Sequence, residues 1–539
     1  MSKQHPYWQF TGLGLWNLYF LIKLWLHLNH YIQINFVANL AFACVLMISF
    51  SSSYINTAKH TLAVFFAITL IYSESWLPPV STFASNLELL SEFSIDYLFN
   101  LTGRFIDTSM VFAIMIATTA YAYFSKWVRF TTFSLLGLII IPTYNQFSAI
   151  QDKQIVQTSV QNKSNDLVNQ NEPRQQINSP LQADSPEQAL NQFYSQQKTL
   201  PDIIPNELPQ QAFDILILNI CSLSNADLTA AGVDSKKLLN DFDIVFNQFN
   251  AATSYSGPAA LRILRSSCGH VPHSELFSKT DETQCYLFEN LKKLGYQTNL
   301  TMNHDGHFDN FLGLLQNQGN LNAQLTPLKN NDIAQYAFDD TPVYRDISLL
   351  NQWLSAHKNK NQPQAMYYNS ITLHDGNQVI NQPKLNDIES YTLRIKMLFT
   401  DIKQFIEQIE LNARPTMLIV IPEHGAALKG DKMQFSGLRE IPSPNIVNVP
   451  VAIKFIGKQT NRSSPLYIKG SYSHYALSTL IERAISSNAF DTSVSLNMLT
   501  NQLPKTELVA ENESAVLMNY KNKPYIKLNN RDWMVYPGI

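Results

Sequence analysis

Apolar residues crowd positions 1–150, a polar stretch covers 151–211, and from 212 short apolar runs alternate with amphipathic ones. A membrane-spanning helix needs roughly 20 mainly apolar residues. Five runs in the first stretch are candidates: 13–28, 34–50, 62–76, 106–124 and 128–144. Segment 83–103 is amphipathic and charged, which predicts a piece lying in the membrane interface. Lys23 falls inside the first run and is expected to snorkel, its ammonium reaching water along an apolar stem, the alternative being a buried functional lysine. Asn39, Thr69 and Asp107 suggest packing between helices more than a transport path.

Loops rich in Lys and Arg stay cytoplasmic. Lys3, Lys59, Lys126 and Arg129 fall on one side if the N-terminus is cytoplasmic, with Arg104 the exception. An odd number of spans then places everything after 144 on the opposite side. The first run is too long for a cleavable signal peptide and lacks a small-residue cleavage site. The stretch 151–211 is rich in Gln, Asn, Ser, Asp and Pro and poor in aromatics. It cannot bury enough apolar surface to offset ordering entropy, which predicts a flexible linker with a short helix near 186–197.

Residues 212–539 read as an α/β domain. Strands are expected at 213–220, 297–300, 365–371, 416–421 and 449–455, and helices at 287–294, 346–357, 388–411 and 475–484. An antiparallel hairpin and strand are expected over 516–536. Such alternation predicts a sheet with helices on both faces. Ligands in such sheets bind at the carboxyl ends of the strands.

A chain of 539 residues exceeds what one core organises, consistent with this division. The formal net charge of -3 gives no basic footprint and excludes nucleic acid as a partner. Of four cysteines, Cys44 sits inside an apolar run and reads as inert. Cys268 and Cys285 are close in sequence, flank a loop and are paired here, as an extracytoplasmic location permits. Cys221 remains as an odd thiol.

Candidate chemistry follows the expected strand ends. Ser256-Gly257-Pro258 opens an apolar helical run, so Ser256 lies at a helix N-terminus, where it either caps the helix or attacks a bound phosphate. Glu423-His424 follows the strand 416–421 and offers a carboxylate and an imidazole to a cation. Cys221 ends the first strand, as a thiolate ligand or a small buried hydrophobe. His374 follows the strand 365–371, as a proton donor or a polar turn residue. His304 and His307 have similar turn character and rank lower. Arg439 is a phosphoryl clamp or a surface arginine.

The segments NICSLS (219–224), FNAATSYSGPAA (249–260), RSSCG (265–269), QCYLF (284–288), LHDGN (373–377) and PEHGAALKGDKMQFSGLREIPSP (422–444) resemble the alkaline phosphatase and sulfatase superfamily. Within it they look like the phosphoethanolamine transferases, most nearly those that modify cellulose. The resemblance implies a multi-pass α-helical membrane domain plus an alkaline phosphatase-like α/β domain with a mixed sheet. It implies Ser256 as nucleophile and one zinc ion on Cys221, Ser256, Glu423 and His424. It also implies His374 and Arg439 on the phosphoryl group, Tyr255 lining the pocket and a Cys268–Cys285 disulfide. The implied donor is phosphatidylethanolamine and the acceptor is the glucose C6 hydroxyl of nascent cellulose. The implied place is the bacterial inner membrane beside cellulose synthase subunits, with the catalytic domain in the periplasm.

Two departures narrow the resemblance. Lipid A-modifying relatives use a threonine nucleophile and an acidic ligand where this chain has Cys221. Sulfatases need Arg where this chain has Ala260, so the signal for converting the nucleophile is absent. Two rival readings are the same chemistry on another glycan or lipid A, and a non-catalytic scaffold of a polysaccharide synthase.

Overall fold

The computed structural model describes residues 8–77, 93–95, 97–98, 108–142, 183–278, 282–383, 385–459, 462–529 and 531–538. Lys3, Arg104, Asp107, residues 151–182 of the expected linker and most of segment 83–103 lie outside the described residues. The chain forms two compact units, one of residues 1–77 and 102–176 and one of residues 78–101 and 177–539.

The first unit contains helices α1 (Trp16–Leu28), α2 (Phe36–Met47), α3 (Ser53–Glu74), α4 (Thr108–Phe124) and α5 (Phe130–Pro142). Each overlaps one of the five expected runs. Among the described residues, only α3, with 22 residues, is long and apolar enough to cross a membrane by length and composition. It exposes Leu62, Phe65, Phe66 and Ile68, an apolar surface that a water-facing helix would not carry. The snorkelling expected of Lys23 is wrong. Its side chain is 1% exposed, with Nζ 2.5 Å from Glu74 Oε2 and donating to Asn39 Oδ1 at 2.7 Å. The long stem turns inward because a carboxylate and an amide wait there.

The second unit is built on a seven-stranded mixed sheet. Its strands are β1 (Asp214–Ile220), β2 (Ile244–Asn250), β3 (Gln297–Met302), β4 (Gln364–Ser370), β5 (Thr416–Pro422), β6 (Asn448–Ile456) and β7 (Leu466–Ile468). The order across the sheet is β7-β2-β6-β5-β1-β4-β3, with β6 antiparallel to both neighbours. Every residue of β1, β4 and β5 is buried, because helices cover both faces and no face is left for alternation. Ile215 and Ile217 enter one core with α7 (Ser256–Leu264), while Leu216, Leu218 and Ile220 enter the opposite one. That second core takes α8 (Asp346–His357) and α9 (Asp387–Leu411). Along α9, Tyr391, Ile395, Leu398, Ile402, Phe405 and Ile409 recur at helical spacing and make its buried stripe. Asn386 caps it, accepting from the Glu389 amide at 2.9 Å.

Two strands of this seven-stranded sheet were not expected. β2 carries exposed Asn247 and Gln248 inside an apolar run, which hides its period, and β7 is three residues long. The helix near 186–197 is α6 (Pro186–Lys198), capped by Ser185. Its Ala189, Leu190 and Phe193 pack on Val509, Met518 and Tyr520 of a C-terminal antiparallel sheet. That sheet comprises β8 (Val509–Glu511), β9 (Ala515–Tyr520), β10 (Lys523–Leu528) and β11 (Met534–Val535). The β9–β10 hairpin turns on Lys521 and Asn522, both at positive φ, the two-residue geometry that suits strand twist.

Candidate metal centre and active site

β1 and β5 are parallel and end level, pairing Ile220 with Pro422, so Cys221 and Glu423 emerge side by side. His424 follows. The ligand atoms of Cys221, Glu423 and His424 all lie within 4.8 Å of one another, and all three residues are buried. Ser256 approaches from the first turn of α7. Its Oγ lies 3.6 Å from Cys221 Sγ and 3.3 Å from His424 Nε2. The helix is entered at Tyr255 with no side-chain cap, so the Ser256 hydroxyl meets the trio rather than its own helix amides.

The neighbours fix each donor. Asn369, at the end of β4, donates to Glu423 Oε1 at 2.6 Å, leaving Oε2 facing His424 Nε2 at 3.8 Å. Asn369 Oδ1 faces His304 Nε2 at 2.8 Å, and its amide nitrogen also reaches Asn219 Oδ1 at 3.2 Å. The His424 Nδ1–H donates to the Gly425 carbonyl at 2.9 Å, the tautomer that leaves the Nε2 lone pair for a cation. Gly425 has no substitute, since a Cβ there would stand 2.6 Å from Ser224 Oγ and 2.7 Å from Asp227 Oδ2. Asp227 in turn accepts the amides of Ala426 at 2.7 Å and Leu428 at 3.2 Å, tying down the loop after β5. Ser222 holds a left-handed backbone, φ 65, and its carbonyl accepts from the Tyr391 hydroxyl at 2.5 Å. Strain of this kind persists only where surroundings enforce it.

Arg439 projects inward from the loop 425–443. Its Nη1 lies 3.3 Å from Ser222 Oγ and 3.2 and 3.3 Å from the two ring nitrogens of His424. Its carbonyl accepts from the Ser254 hydroxyl and from Asn512 Nδ2, the latter at 3.1 Å. The segment just after β8 therefore helps to place this guanidinium. Tyr255 sits at the rim, 38% exposed, donating to Glu440 Oε2 at 2.8 Å.

His374 lies in the same neighbourhood without a hydrogen bond to the trio among the described residues. Its Nδ1–H donates to the Asp375 carbonyl at 2.8 Å, and Arg394 grips its own carbonyl at 2.6 Å. The Phe338 ring lies 4.9 Å from the imidazole. Tyr97, from the segment expected to be interfacial, donates to Asp375 Oδ2 at 3.2 Å. Cys268 and Cys285 are joined by a disulfide.

Burial governs the titration of the site. It pushes the Cys221 thiol up to about 12, helped by Glu423, and raises the Glu423 carboxyl. Burial and then the Arg439 charge hold His424 well below its ordinary value and His374 at about 4. A thiol and a carboxyl whose ionisation burial opposes become strong ligands once a divalent cation inverts the local charge balance. One thiolate, one carboxylate, one neutral imidazole and an adjacent hydroxyl make a four-donor set of the kind zinc takes. The residues present fit the ion.

Sequence reasoning missed Asn369, Asn219, Ser222 and Asp227. The signal for the two asparagines was present: each is a polar residue near the end of a buried strand, where an amide without a task would be costly.

Known proteins match the chain along nearly its whole length. It matches the family described as the cellulose biosynthesis protein BcsG N-terminal domain over residues 16–143 and the corresponding C-terminal domain over residues 169–533. It is 37% identical over 554 residues to the cellulose biosynthesis protein BcsG of Salmonella typhimurium, covering 99% of this chain and 98% of that one. The Escherichia coli protein of the same name is 37% identical over 553 residues with the same coverage. Among solved structures, the chain is similar to a protein of the alkaline phosphatase superfamily from Vibrio parahaemolyticus. That likeness has 14% identity and a TM-score of 0.45, over 62% of this chain and 80% of the other. With both halves matched and two relatives aligned end to end, the chain belongs to the cellulose biosynthesis protein BcsG family.

Proposed function

We propose that this chain is a membrane-anchored, zinc-dependent transferase. It moves phosphoethanolamine from phosphatidylethanolamine to the glucose C6 hydroxyls of nascent cellulose. The observation that carries the reading is the placing of the Ser256 hydroxyl against a buried Cys221–Glu423–His424 trio with the Arg439 guanidinium beside it. The names of the full-length relatives support cellulose biosynthesis as the setting. The motifs quoted above support the phosphoethanolamine chemistry.

Cys221, Glu423 and His424 would hold a single zinc ion, with Ser256 completing the set. Zinc there supplies a Lewis acid that lowers the pKa of a hydroxyl beside it and offsets phosphoryl charge. Ser256 Oγ attacks the lipid phosphorus in line. A serine–phosphorus bond forms, and the bond to the diacylglycerol oxygen breaks. His374 is the candidate that delivers a proton to that leaving oxygen. The glucose hydroxyl then attacks the phosphoserine, Ser256 Oγ leaves, and His374 takes up the acceptor's proton. Two displacements replace one difficult transfer. Arg439 neutralises charge on the phosphoryl oxygens throughout. Its low proton affinity leaves His374 neutral at rest, the form its second task needs, and makes it a weak base until phosphoryl charge raises that affinity. For the first it must be loaded by the approaching phosphoryl charge.

The donor lipid stays in the bilayer, so an anchored enzyme remains beside it. The five apolar helices would provide that anchor in the bacterial inner membrane, with the catalytic unit in the periplasm next to the cellulose synthase. Replacing Ser256 by Ala in cells that make cellulose tests the reading. Solid-state NMR of the purified polymer should show loss of phosphoethanolamine at unchanged protein level. Modification that persists would overturn the assignment.

A further inference from the structure

A cavity of about 570 Å³ lies beside the Cys268–Cys285 disulfide, between the C-terminal part of α7 and the start of α10 (His474–Ser486). None of Cys221, Ser256, His374, Glu423, His424 or Arg439 lines it. At its inner end is Arg262, only 5% exposed. Its Nη1 donates to the Val271 carbonyl at 3.1 Å. Its Nε and Nη2 have no hydrogen-bond partner among the described residues. Those two nitrogens form the edge a guanidinium uses to grip an oxyanion bidentately. Leaving them buried and unused is costly, because each carries its full desolvation penalty.

The opposite wall is a helix N-terminus. α10 has 13 residues, and Ser473, His474 and Tyr475 at its start line the cavity. The Ala476 amide is taken by the Ser473 carbonyl at 2.9 Å, which leaves the His474 and Tyr475 amides without an acceptor in the helix, and the helix dipole favours negative charge there. Ser473 does not cap it, since its hydroxyl donates to the Asn250 carbonyl at 3.1 Å. His270, on the cavity wall, adds a buried Nε2 that is also without a partner among the described residues. Glu511 faces the guanidinium electrostatically but makes no ion pair with it, and accepts the His273 amide at 2.6 Å. The outer rim is mixed in charge, with Lys198 3.7 Å from Glu275.

We propose that this cavity is a separate, non-catalytic site for a phosphate-class oxyanion, gripped by Arg262 Nε and Nη2 and by the first amides of α10. A water occupies about 30 Å³ of liquid, so the space exceeds a bare phosphate and admits a small polar substituent. Arg262 lies six residues along the helix that begins at Ser256, about 9 Å at 1.5 Å per residue. Occupancy therefore fixes the far end of the element that carries the nucleophile.

Hydrogen exchange of the full-length chain in detergent, read by mass spectrometry, tests the proposal. The probes are inorganic phosphate, O-phosphoethanolamine and phosphatidylethanolamine mixed micelles, applied separately. Protection of peptides spanning 262–273 and 473–480 by any of the three supports the site and identifies its source as free phosphate, a soluble phosphoester or a lipid head. Arg262→Met should raise the half-protecting concentration at least about tenfold, the loss of a charge-assisted pair. Arg439→Ala, which disables the other anion grip, should leave that protection in place. If Arg262→Met does not fold, His270→Gln replaces it, with a smaller rise expected. Absence of protection by all three probes, or protection unchanged in the cavity variant, overturns the proposal.

Discussion

Asn369 joins several strands of the site with one side chain: it holds Glu423 at 2.6 Å, meets His304 at 2.8 Å and touches Asn219 at 3.2 Å. Groups that orient a ligand govern metal affinity almost as strongly as the ligand does. Asn369→Leu should therefore weaken zinc binding about 10–100-fold while leaving the fold intact, measured by competition with a chelating dye. Asp346 permits a pH prediction away from the metal. Burial raises its carboxyl to about 6, against hydrogen bonds from Thr372 and Tyr368. An unfolded aspartate titrates near 3.9, so between these values the folded chain holds a proton that the unfolded chain has lost. Stability should thus fall by roughly 3 kcal/mol as pH rises from about 4 to about 6. In Asp346→Asn that component should vanish, as urea midpoints across this range will show.

At the scale of elements, the strands that position the site were legible because each is a short, mainly apolar run bounded by turn residues. β1, β4 and β5 appeared where their composition placed them, and the chemistry lay just beyond their ends. β2 was illegible because polar residues interrupt it, and β7 because three residues carry no period. Ser256 was readable only as a residue at a helix start. Its approach to Cys221 depends on the packing of α7 on the sheet, which no local pattern encodes. Lys23 shows the same limit, since its partner Glu74 lies 51 positions away. Removing one member of a buried pair strands the other charge. Lys23→Met should therefore destabilise the helical unit by about 3–5 kcal/mol, and Lys23→Met with Glu74→Gln should recover most of that loss. Thermal unfolding in detergent micelles distinguishes the two variants.

Across the whole molecule, the second unit gathers pieces from distant stretches of sequence. The loop that carries Arg439 is held by Asn512, just after β8, and α6 packs against the same C-terminal sheet. The disulfide closes a loop of sequence separation 17, so replacing both cysteines by serine should cost about 3 kcal/mol of stability without removing zinc. Equilibrium urea unfolding with metal analysis checks this. The central claim is that Ser256 carries the transferred group. It is tested most directly by the intact mass of the full-length chain after incubation with zinc and phosphatidylethanolamine and without acceptor. A single phosphoethanolamine adduct that maps to Ser256 and is absent from Ser256→Ala is expected. Diacylglycerol release by Ser256→Ala at the wild-type rate, with no adduct on either chain, would contradict it.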